Sequence, residues 1–351
     1  MKKNISILIV TVLIASSMVG CENQPIDFDD YDITTCYFPY QTPARSILLG
    51  KYKPGFNESD INHQFEIGLT MSGVYENEID REVHFQVDES LLQGVVNVTA
   101  LPQAYYSIET ESPVTIPAGS TKGRISVQLT EAFFEDNMSL APLDSVNYVV
   151  PMIITDAVGL DSILQGDAAD GVSNPVRTNA GDWSVQPKDF TLYGIKFINK
   201  YHGNYLRRGT DVLDTFNIAT STYEYDTTIV YHEKYTERDE VVMLTSTSLS
   251  KVVLSSPIRR GDLATPGDID LLLTFDQSEN CAVFDNNTMV EIGNGAFIEN
   301  GDSWGGEDQD VIHIEYSFLD TINNEMHLVS DTLVIRDRAV VFEEFTIYNE
   351  E

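Results

Sequence analysis

The sequence predicts an all-β protein with two successive domains. Apolar and polar residues alternate along short stretches such as 83–87 and 125–129, which is the pattern of strands with one buried face. Prolines and glycines separate these stretches at turn positions. Helical periodicity is confined to short pieces at 90–93 and 131–134. A chain of 351 residues is also too long for one ordinary core, which indicates two domains.

The first twenty residues have the layout of a secretory signal. Two lysines precede the apolar run 5–19, and Gly20 stands directly before Cys21. Such signals have basic residues, then a short apolar segment, and then a small residue before the cleavage site. The run is too short for a comfortable bilayer crossing, and the segment after it is acidic rather than a stop-transfer flank. We therefore predict that residues 1–20 form a signal peptide.

The end of this signal carries a more specific motif. Met18, Val19, Gly20 and Cys21 resemble a lipobox, which bacterial lipoprotein signals share, and by that resemblance Cys21 is the lipidation site. The alternatives are an ordinary signal peptide with a chance cysteine and a membrane-spanning helix. The acidic segment 21–32 is predicted to be a tether, and it resembles the surface-export signal of Bacteroidetes lipoproteins. The implied location is the outer membrane, lipid-anchored and exposed at the cell surface.

The chain is strongly acidic, with 55 acidic against 21 basic residues and a formal net charge of −34. Such a charge repels nucleic acid and anionic membrane surfaces. We therefore expect no nucleic acid partner, and membrane contact through the lipid anchor only. The charge is compatible with neutral ligands such as glycans and with Ca²⁺. Solubility of a surface protein is the simpler explanation of the acidity.

The first domain, residues 33–157, is predicted to be a β-sandwich. The predicted strands lie at 34–40, 63–71, 82–87, 103–109, 114–116, 123–129 and 148–155. Several short strands over about a hundred residues favour an immunoglobulin-like sandwich. An ordered series of motifs runs through the same region, at 87–91, 101–102, 105–106, 114–119 and 148–151.

This series resembles the β-sandwich domain of unknown function at the N-terminus of many Bacteroidetes surface lipoproteins. The same domain also precedes surface endo-β-N-acetylglucosaminidases of glycoside hydrolase family 18. No catalytic residues belong to that domain, so the resemblance implies none here.

The second domain is predicted to be an antiparallel barrel at residues 183–351, after a Gly- and Asp-rich linker at 158–182. The predicted strands lie at 222–232, 240–246, 252–254, 269–275, 282–285, 296–299, 311–319 and 326–335. Sequential antiparallel strands can close on themselves and remove exposed edges. The stretch 183–208 resembles a C-terminal domain of unknown function that accompanies the first family, which implies a lipocalin-like, calycin-type barrel. The alternative is a second sandwich.

Catalytic and metal motifs are missing from the sequence. None of the six histidines lies in HExxH, there is no GxSxG, and the DxxDxDxE motif of family-18 hydrolases does not occur. The second domain is also too short for the (β/α)₈ barrel of such enzymes. Cys36 and Cys281 lie far apart and are predicted to be unpaired, buried thiols. We predict no catalytic residue, no metal site and no cofactor.

Trp304 is the first candidate for ligand binding. It lies in a Gly/Asp-rich segment, 300–308, rather than in a predicted strand. Sugar rings present flat C–H faces that pack on aromatic side chains, and loops at barrel ends commonly carry function. An equally favoured alternative is that Trp304 folds back as a plug over the barrel end. A cation site formed by the acidic residues around it is the least favoured interpretation.

A second candidate segment begins at Tyr201 and includes Tyr205, Arg207 and Arg208. Aromatic rings can stack on sugars, and arginines can bond their hydroxyls. The favoured alternative is that the tyrosines close the first hairpin of the barrel while the arginines pair with neighbouring carboxylates.

The favoured function is non-catalytic glycan binding by a lipid-anchored surface protein. It would act in a polysaccharide or glycoprotein-glycan utilisation system, beside an outer-membrane transporter or a surface glycosidase. The domain resemblance carries most of this inference. The alternative is a structural or adaptor lipoprotein that docks onto a transporter or glycoside hydrolase without binding sugar.

Overall fold

The computed structural model describes residues 30–31, 33–51, 55–141, 145–257, 269–340 and 343–350. The predicted signal peptide, Cys21 and nearly all of the predicted tether lie outside these residues. Within the described ranges, no helix is long and apolar enough to cross a membrane.

The described residues up to 198 form thirteen strands and two short α-helices of the N-terminal domain. These are β1 (Thr35–Tyr37), β2 (Pro43–Leu48), α1 (Glu58–Ile61), β3 (Gln64–Ser72), β4 (Arg81–Val87), β5 (Thr99–Ala100), β6 (Tyr106–Ile108), β7 (Val114–Ile116), β8 (Lys122–Leu129), α2 (Glu131–Glu135), β9 (Tyr148–Val158), β10 (Ser162–Ile163), β11 (Asp167–Ala168), β12 (Trp183–Val185) and β13 (Phe190–Ile198). Short 3₁₀ turns occur at Glu89–Leu92, Gln103–Tyr105, Asn137–Ser139 and Ala180–Asp182.

Two sheets of this domain enclose a common apolar core. One sheet has the order β10-β1-β3-β8-β6; the other has the order β23-β2-β13-β9-β4-β7, where β23 (Glu343–Glu344) comes from the end of the chain, and β5 also pairs with β9. Alternation along β3 places Phe65, Ile67 and Leu69 inward, against Ile125 and Val127 of the paired strand β8. The predicted sandwich is therefore confirmed.

The C-terminal domain is a closed antiparallel barrel. Its strands are β14 (Gly203–Asn217), β15 (Thr222–Tyr231), β16 (Glu240–Ser248), β17 (Lys251–Ser255), β18 (Asp270–Phe275), β19 (Asn280–Asp285), β20 (Val290–Trp304), β21 (Glu307–Asp320) and β22 (Glu325–Asp337), with a 3₁₀ turn at Thr236–Arg238. Eight of them follow the order β14-β16-β17-β18-β19-β20-β21-β22, and pairing of β14 with β22 closes the barrel. This confirms the barrel; the alternative of a second sandwich does not form.

The long strand β14 has two partners on one side. Its first half, at residues 203–207, pairs with β16, and its second half, at 209–217, pairs with β15. The barrel interior is filled by side chains such as Leu244, Leu273 and Ile314. Cys281 belongs to this core, and Cys36 to the sandwich core; both thiols are buried and unpaired, as predicted.

The second domain does not begin at residue 183, where the sequence analysis placed its start. Strand β13, at Phe190–Ile198, lies in the sandwich between β2 and β9 rather than in the barrel. The reason is that β13 is almost wholly buried and, apart from Thr191 and Lys196, apolar on both faces, which suits a central strand that is covered on both sides. After the barrel the chain returns to the sandwich, where β23 pairs with β2 and Phe345 joins a core cluster. The barrel domain proper spans β14 to β22.

The predicted linker at 158–182 is part of the folded sandwich domain. Within it, β10 pairs with β1, and β11 pairs with β12. Arg177 binds the buried carboxylate of Asp189 through both Nε and an Nη atom, at 2.8–3.2 Å. The abundance of glycine and aspartate in this segment reflects tight turns rather than a free connection.

Arg338 joins the two domains at the end of the barrel. Its guanidinium donates to the carbonyl oxygens of His202 (2.8 Å), Asn199 (2.5 Å) and, in the sandwich, Leu49 (3.1 Å). Burial, together with the positive charges of Arg338 and Lys196, lowers the pKa of His202 to about 4. The imidazole is therefore neutral at pH 7, and its Nδ1 accepts a hydrogen bond from a backbone amide of the barrel.

Candidate functional site

Four of the predicted ligand-binding residues lie on or just before β14, where the strand alternation separates them. Tyr205 and Arg207 face the barrel interior, so Arg208 faces outward. Tyr205 is fully buried, and its hydroxyl donates to the carbonyl oxygen of Tyr201 at 2.9 Å. Tyr201 stacks on Phe275, with ring centroids 3.6 Å apart. The two tyrosines are therefore core residues.

Arg207 forms a buried ion pair in the middle of the barrel. Its guanidinium donates to Asp331 Oδ2 at 2.8 Å and to the carbonyl oxygen of Pro257 at 2.7 Å. The hydroxyls of Tyr231 and Tyr316 both donate to the same carboxylate. Burial and the charge of Asp331 hold the pKa of Tyr316 well above its usual range, so this hydroxyl stays protonated and can donate.

Arg208 pairs with a different carboxylate on the outside of the barrel. Its Nε donates to Asp239 Oδ2 at 2.6 Å, and Asp239 is itself buried. The arginines thus pair with neighbouring carboxylates, which is the alternative that the sequence favoured for them.

Trp304 is neither a loop residue nor a plug over the barrel end. It is the last residue of β20, and Gly305 and Gly306, with φ of +65° and +84°, turn the chain into β21. The half-buried indole packs on Leu206, Val311 and Val334. These three side chains face outward, because their neighbours along each strand belong to the barrel core. Its Nε1 donates to the carbonyl oxygen of Ile335 at 2.9 Å. Trp304 therefore covers the outer wall of the barrel.

The structure does not gather the five predicted residues into one open site. Tyr201, Tyr205 and Arg207 lie in the interior, whereas Arg208 and Trp304 lie on the outer wall. A cavity at the domain junction is lined in part by Tyr205, but its volume is about 30 Å³. That is room for water and not for a sugar ring.

An open groove lies at the opposite end of the barrel, away from the sandwich. We call it the barrel-end groove; its volume is about 460 Å³. The side chains that line it include Ile269, Ile292 and Phe318 in its apolar part, and Asp285, Asn287, Thr288, Asp320 and Thr321 in its polar part. A groove of this size and mixture is typical of small-ligand sites.

Two hairpin turns supply the polar part of this groove. In the β19–β20 turn, Asp285 Oδ1 accepts the backbone amide of Asn287 at 2.8 Å. In the β21–β22 turn, Asp320 Oδ1 accepts the amides of Ile322 and Asn323 at 2.9 and 3.2 Å. These carboxylates close the turns as Asx-type caps. The side chains of Asn287, Thr288 and Thr321 remain exposed on the rim.

Asp320 is held ionised by its turn. Its burial opposes ionisation, but hydrogen bonds from the side chain and backbone of Asn323 and from the backbone of Ile322 outweigh that effect and lower the pKa. Behind it, Glu325 and His327 complete a buried group of three residues that could ligate a metal ion.

The residues of the barrel-end groove were missed by the sequence analysis. A usable signal existed, because both turns are rich in short polar residues: Asp-Asn-Asn-Thr at 285–288 and Asp-Thr-Ile-Asn-Asn at 320–324. Along this antiparallel series the β20–β21 turn lies between the two, and alternate turns fall at the same end of the barrel.

Two family models match the chain, one on each domain. A model described only as a "-like, N-terminal domain" covers residues 30–161, and a domain of unknown function, DUF5627, covers residues 200–339. No curated protein matches the sequence.

Solved structures of similar chains come from Bacteroides. A structural-genomics protein of unknown function from Bacteroides ovatus is 33% identical, with a TM-score of 0.77 over 92% of this chain and 100% of its own. A second such protein from Bacteroides ovatus is 13% identical, with a TM-score of 0.40 over 90% and 99% of the two chains. An auxiliary nutrient binding protein from Bacteroides thetaiotaomicron is 14% identical, with a TM-score of 0.36 over 78% and 82%.

Replacement of Trp304 by alanine tests its role on the outer wall. We expect the free energy of unfolding to fall by about 1–3 kcal/mol, because the indole leaves Leu206, Val311 and Val334 uncovered. Chemical denaturation followed by circular dichroism measures this change. The control is Tyr225→Ala, at an exposed ring, which should change stability by less than about 0.5 kcal/mol. Equal stability of the two variants would contradict the packing role.

Proposed function

The chain belongs to the same family as the Bacteroides ovatus protein of unknown function that it matches at 33% identity, and from this premise we propose its role. We propose that it is a lipid-anchored surface protein that binds glycan, without catalysis, in the barrel-end groove. The observation that carries the proposal is the groove itself, an open site of about 460 Å³ with apolar and polar parts.

The lining of the groove suits a neutral sugar. A pyranose ring packs its C–H face on apolar side chains such as Phe318 and Ile292, while planar amides, hydroxyls and carboxylates bond its hydroxyl groups. Asn287, Thr288 and Thr321 offer such groups on the exposed rim. The net charge of −34 favours a neutral ligand over an anionic one, because like charges repel.

The carboxylates of the groove support binding rather than hydrolysis. A glycosidase needs one carboxylic acid with a raised pKa to protonate the leaving group. Asp320 has a lowered pKa, and its oxygens accept hydrogen bonds from the turn. Asp285 likewise accepts a turn amide. Asp320 is therefore suited to accept hydrogen bonds from sugar hydroxyls and not to donate a proton.

The proposed location follows from the sequence motif at Cys21. A diacylglycerol thioether on this residue would hold the folded domains at the outer membrane through the short segment that precedes residue 30. A glycan-binding protein placed there could present its ligand to an outer-membrane transporter or a surface glycosidase, which are the partners we propose.

The glycan proposal is tested with a microarray of neutral host and plant oligosaccharides, followed by titration of the best binder. We expect Asn287→Ala to weaken binding about 5–10-fold, the equivalent of one hydrogen bond of about 1 kcal/mol. The matched control is Gln64→Ala, which lies in an open groove of about 480 Å³ on the sandwich and should leave affinity unchanged. An array without binding would favour the adaptor role, and loss of binding only in Gln64→Ala would move the site to the sandwich.

The anchor is tested by metabolic labelling with palmitate in a bacterial host that processes lipoproteins. The wild-type chain should incorporate label and fractionate with the outer membrane. Cys21→Ser should do neither, because the thioether requires the thiol. Cys36→Ser is the control and should label normally, since Cys36 is buried in the sandwich. Label in Cys21→Ser would exclude Cys21 as the lipidation site.

A further inference from the structure

A buried histidine lies directly behind the barrel-end groove with one ring nitrogen unused. The side chain of His327 is fully buried, and its Nδ1 lies 2.8 Å from Asp211 Oδ2. The contact with Asp211 occupies Nδ1 and leaves Nε2 for another partner. Among the described residues, Nε2 has no hydrogen-bond partner. A buried polar atom without a partner is costly and calls for a ligand.

The free nitrogen faces two buried carboxylates. Glu325 Oε2 lies 3.9 Å from His327 Nε2, which is too long for a hydrogen bond. Asp320 completes the group, and the ligating atoms of all three residues lie within 4.8 Å of one another. All three side chains are buried.

From this geometry we propose that Asp320, Glu325 and His327 bind one divalent transition-metal ion of the Zn²⁺ class. Carboxylate oxygens together with an imidazole nitrogen are a donor set that such an ion takes in proteins. The ion would supply a partner for His327 Nε2.

The choice of metal follows from the donor atoms. Ca²⁺ and Mg²⁺ prefer oxygen ligands, whereas imidazole nitrogen mixed with carboxylate oxygen suits Zn²⁺ and its neighbours. A tetrahedral Zn²⁺ with bonds of about 2.0–2.1 Å places its ligand atoms about 3.3 Å apart. The 3.9 Å between Glu325 and His327 is close to that spacing. Three protein ligands leave a fourth position for water or another donor.

Asp211 and Phe318 position the imidazole. Asp211 holds the ring from the Nδ1 side, as carboxylates that contact metal-bound histidines commonly do. The Phe318 ring stacks on the imidazole, with centroids 4.5 Å apart and planes at 2°. Phe318 and Asp320 also line the barrel-end groove, so the ion would lie at its inner wall. The metal proposal stands without the glycan proposal, because ion binding is measured with no sugar present.

The test is a titration of the full chain with Zn²⁺ by isothermal calorimetry, after removal of metal with EDTA. We expect one equivalent to bind and the melting temperature to rise. His327→Gln should weaken binding by 100-fold or more. Asp211→Asn, which removes the orienting charge without touching the ion, should weaken binding 10–100-fold. The matched control is His313→Gln, on the outward face of β21 beside Thr332, which should bind as the wild type does.

The outcomes are separable from failure to fold. Glu325→Gln preserves side-chain volume, and thermal unfolding of each metal-free variant shows whether the barrel is intact. With Co²⁺ in place of Zn²⁺, the wild type should show the visible absorption of a low-coordinate site. Glu325→Gln should lack this absorption. Binding of less than a tenth of an equivalent to the wild type, or equal affinity in His327→Gln and His313→Gln, would overturn the proposal.

Discussion

The barrel depends on the buried ion pair between Arg207 and Asp331. The pair joins β14 to β22, the two strands whose contact closes the barrel, and the hydroxyls of Tyr231 and Tyr316 donate to its carboxylate. A one-residue slip of either strand would turn one of these charges outward and leave the other buried alone. The cost of an unpaired buried charge therefore selects one register, and with it the positions of every other inward-facing residue on the two strands.

The interior carries more polar side chains toward the end that lies away from the sandwich. Next to the sandwich it is filled by side chains such as Tyr205 and Leu333, and the charged pair lies further along. Beyond the pair, the same inward rows of β14 and β22 bring Asp211 and His327 together. An apolar interior at one end gives the fold its stability, while the polar groups at the other end leave donors and acceptors beside an open groove. Both proposals, glycan on the rim and a metal ion behind it, follow from this gradient.

Local patterns in the sequence predicted the strands well and the sites poorly. Strand β7 has the predicted bounds, because its pattern is clear and Pro117 ends it. The sequence could not show which residues of β14 face the barrel interior, because Tyr205 and Leu206 are both apolar and the next two residues are both arginine. The contact of Asp211 with His327 spans 116 positions and exists only after the barrel closes. The assignment of β13 failed because a strand that is mostly apolar on both faces fits either core.

The most direct test of this account is a double-mutant cycle on Arg207 and Asp331, followed by chemical denaturation. Each single alanine variant should lower the free energy of unfolding by about 3–5 kcal/mol, because it leaves a buried charge without its partner. The double variant should cost less than the sum of the two, with a coupling energy on the order of 2 kcal/mol. Arg336→Ala, at an exposed guanidinium, is the control. Single variants that each cost less than about 1 kcal/mol and add without coupling would contradict the dependence of the barrel on this pair.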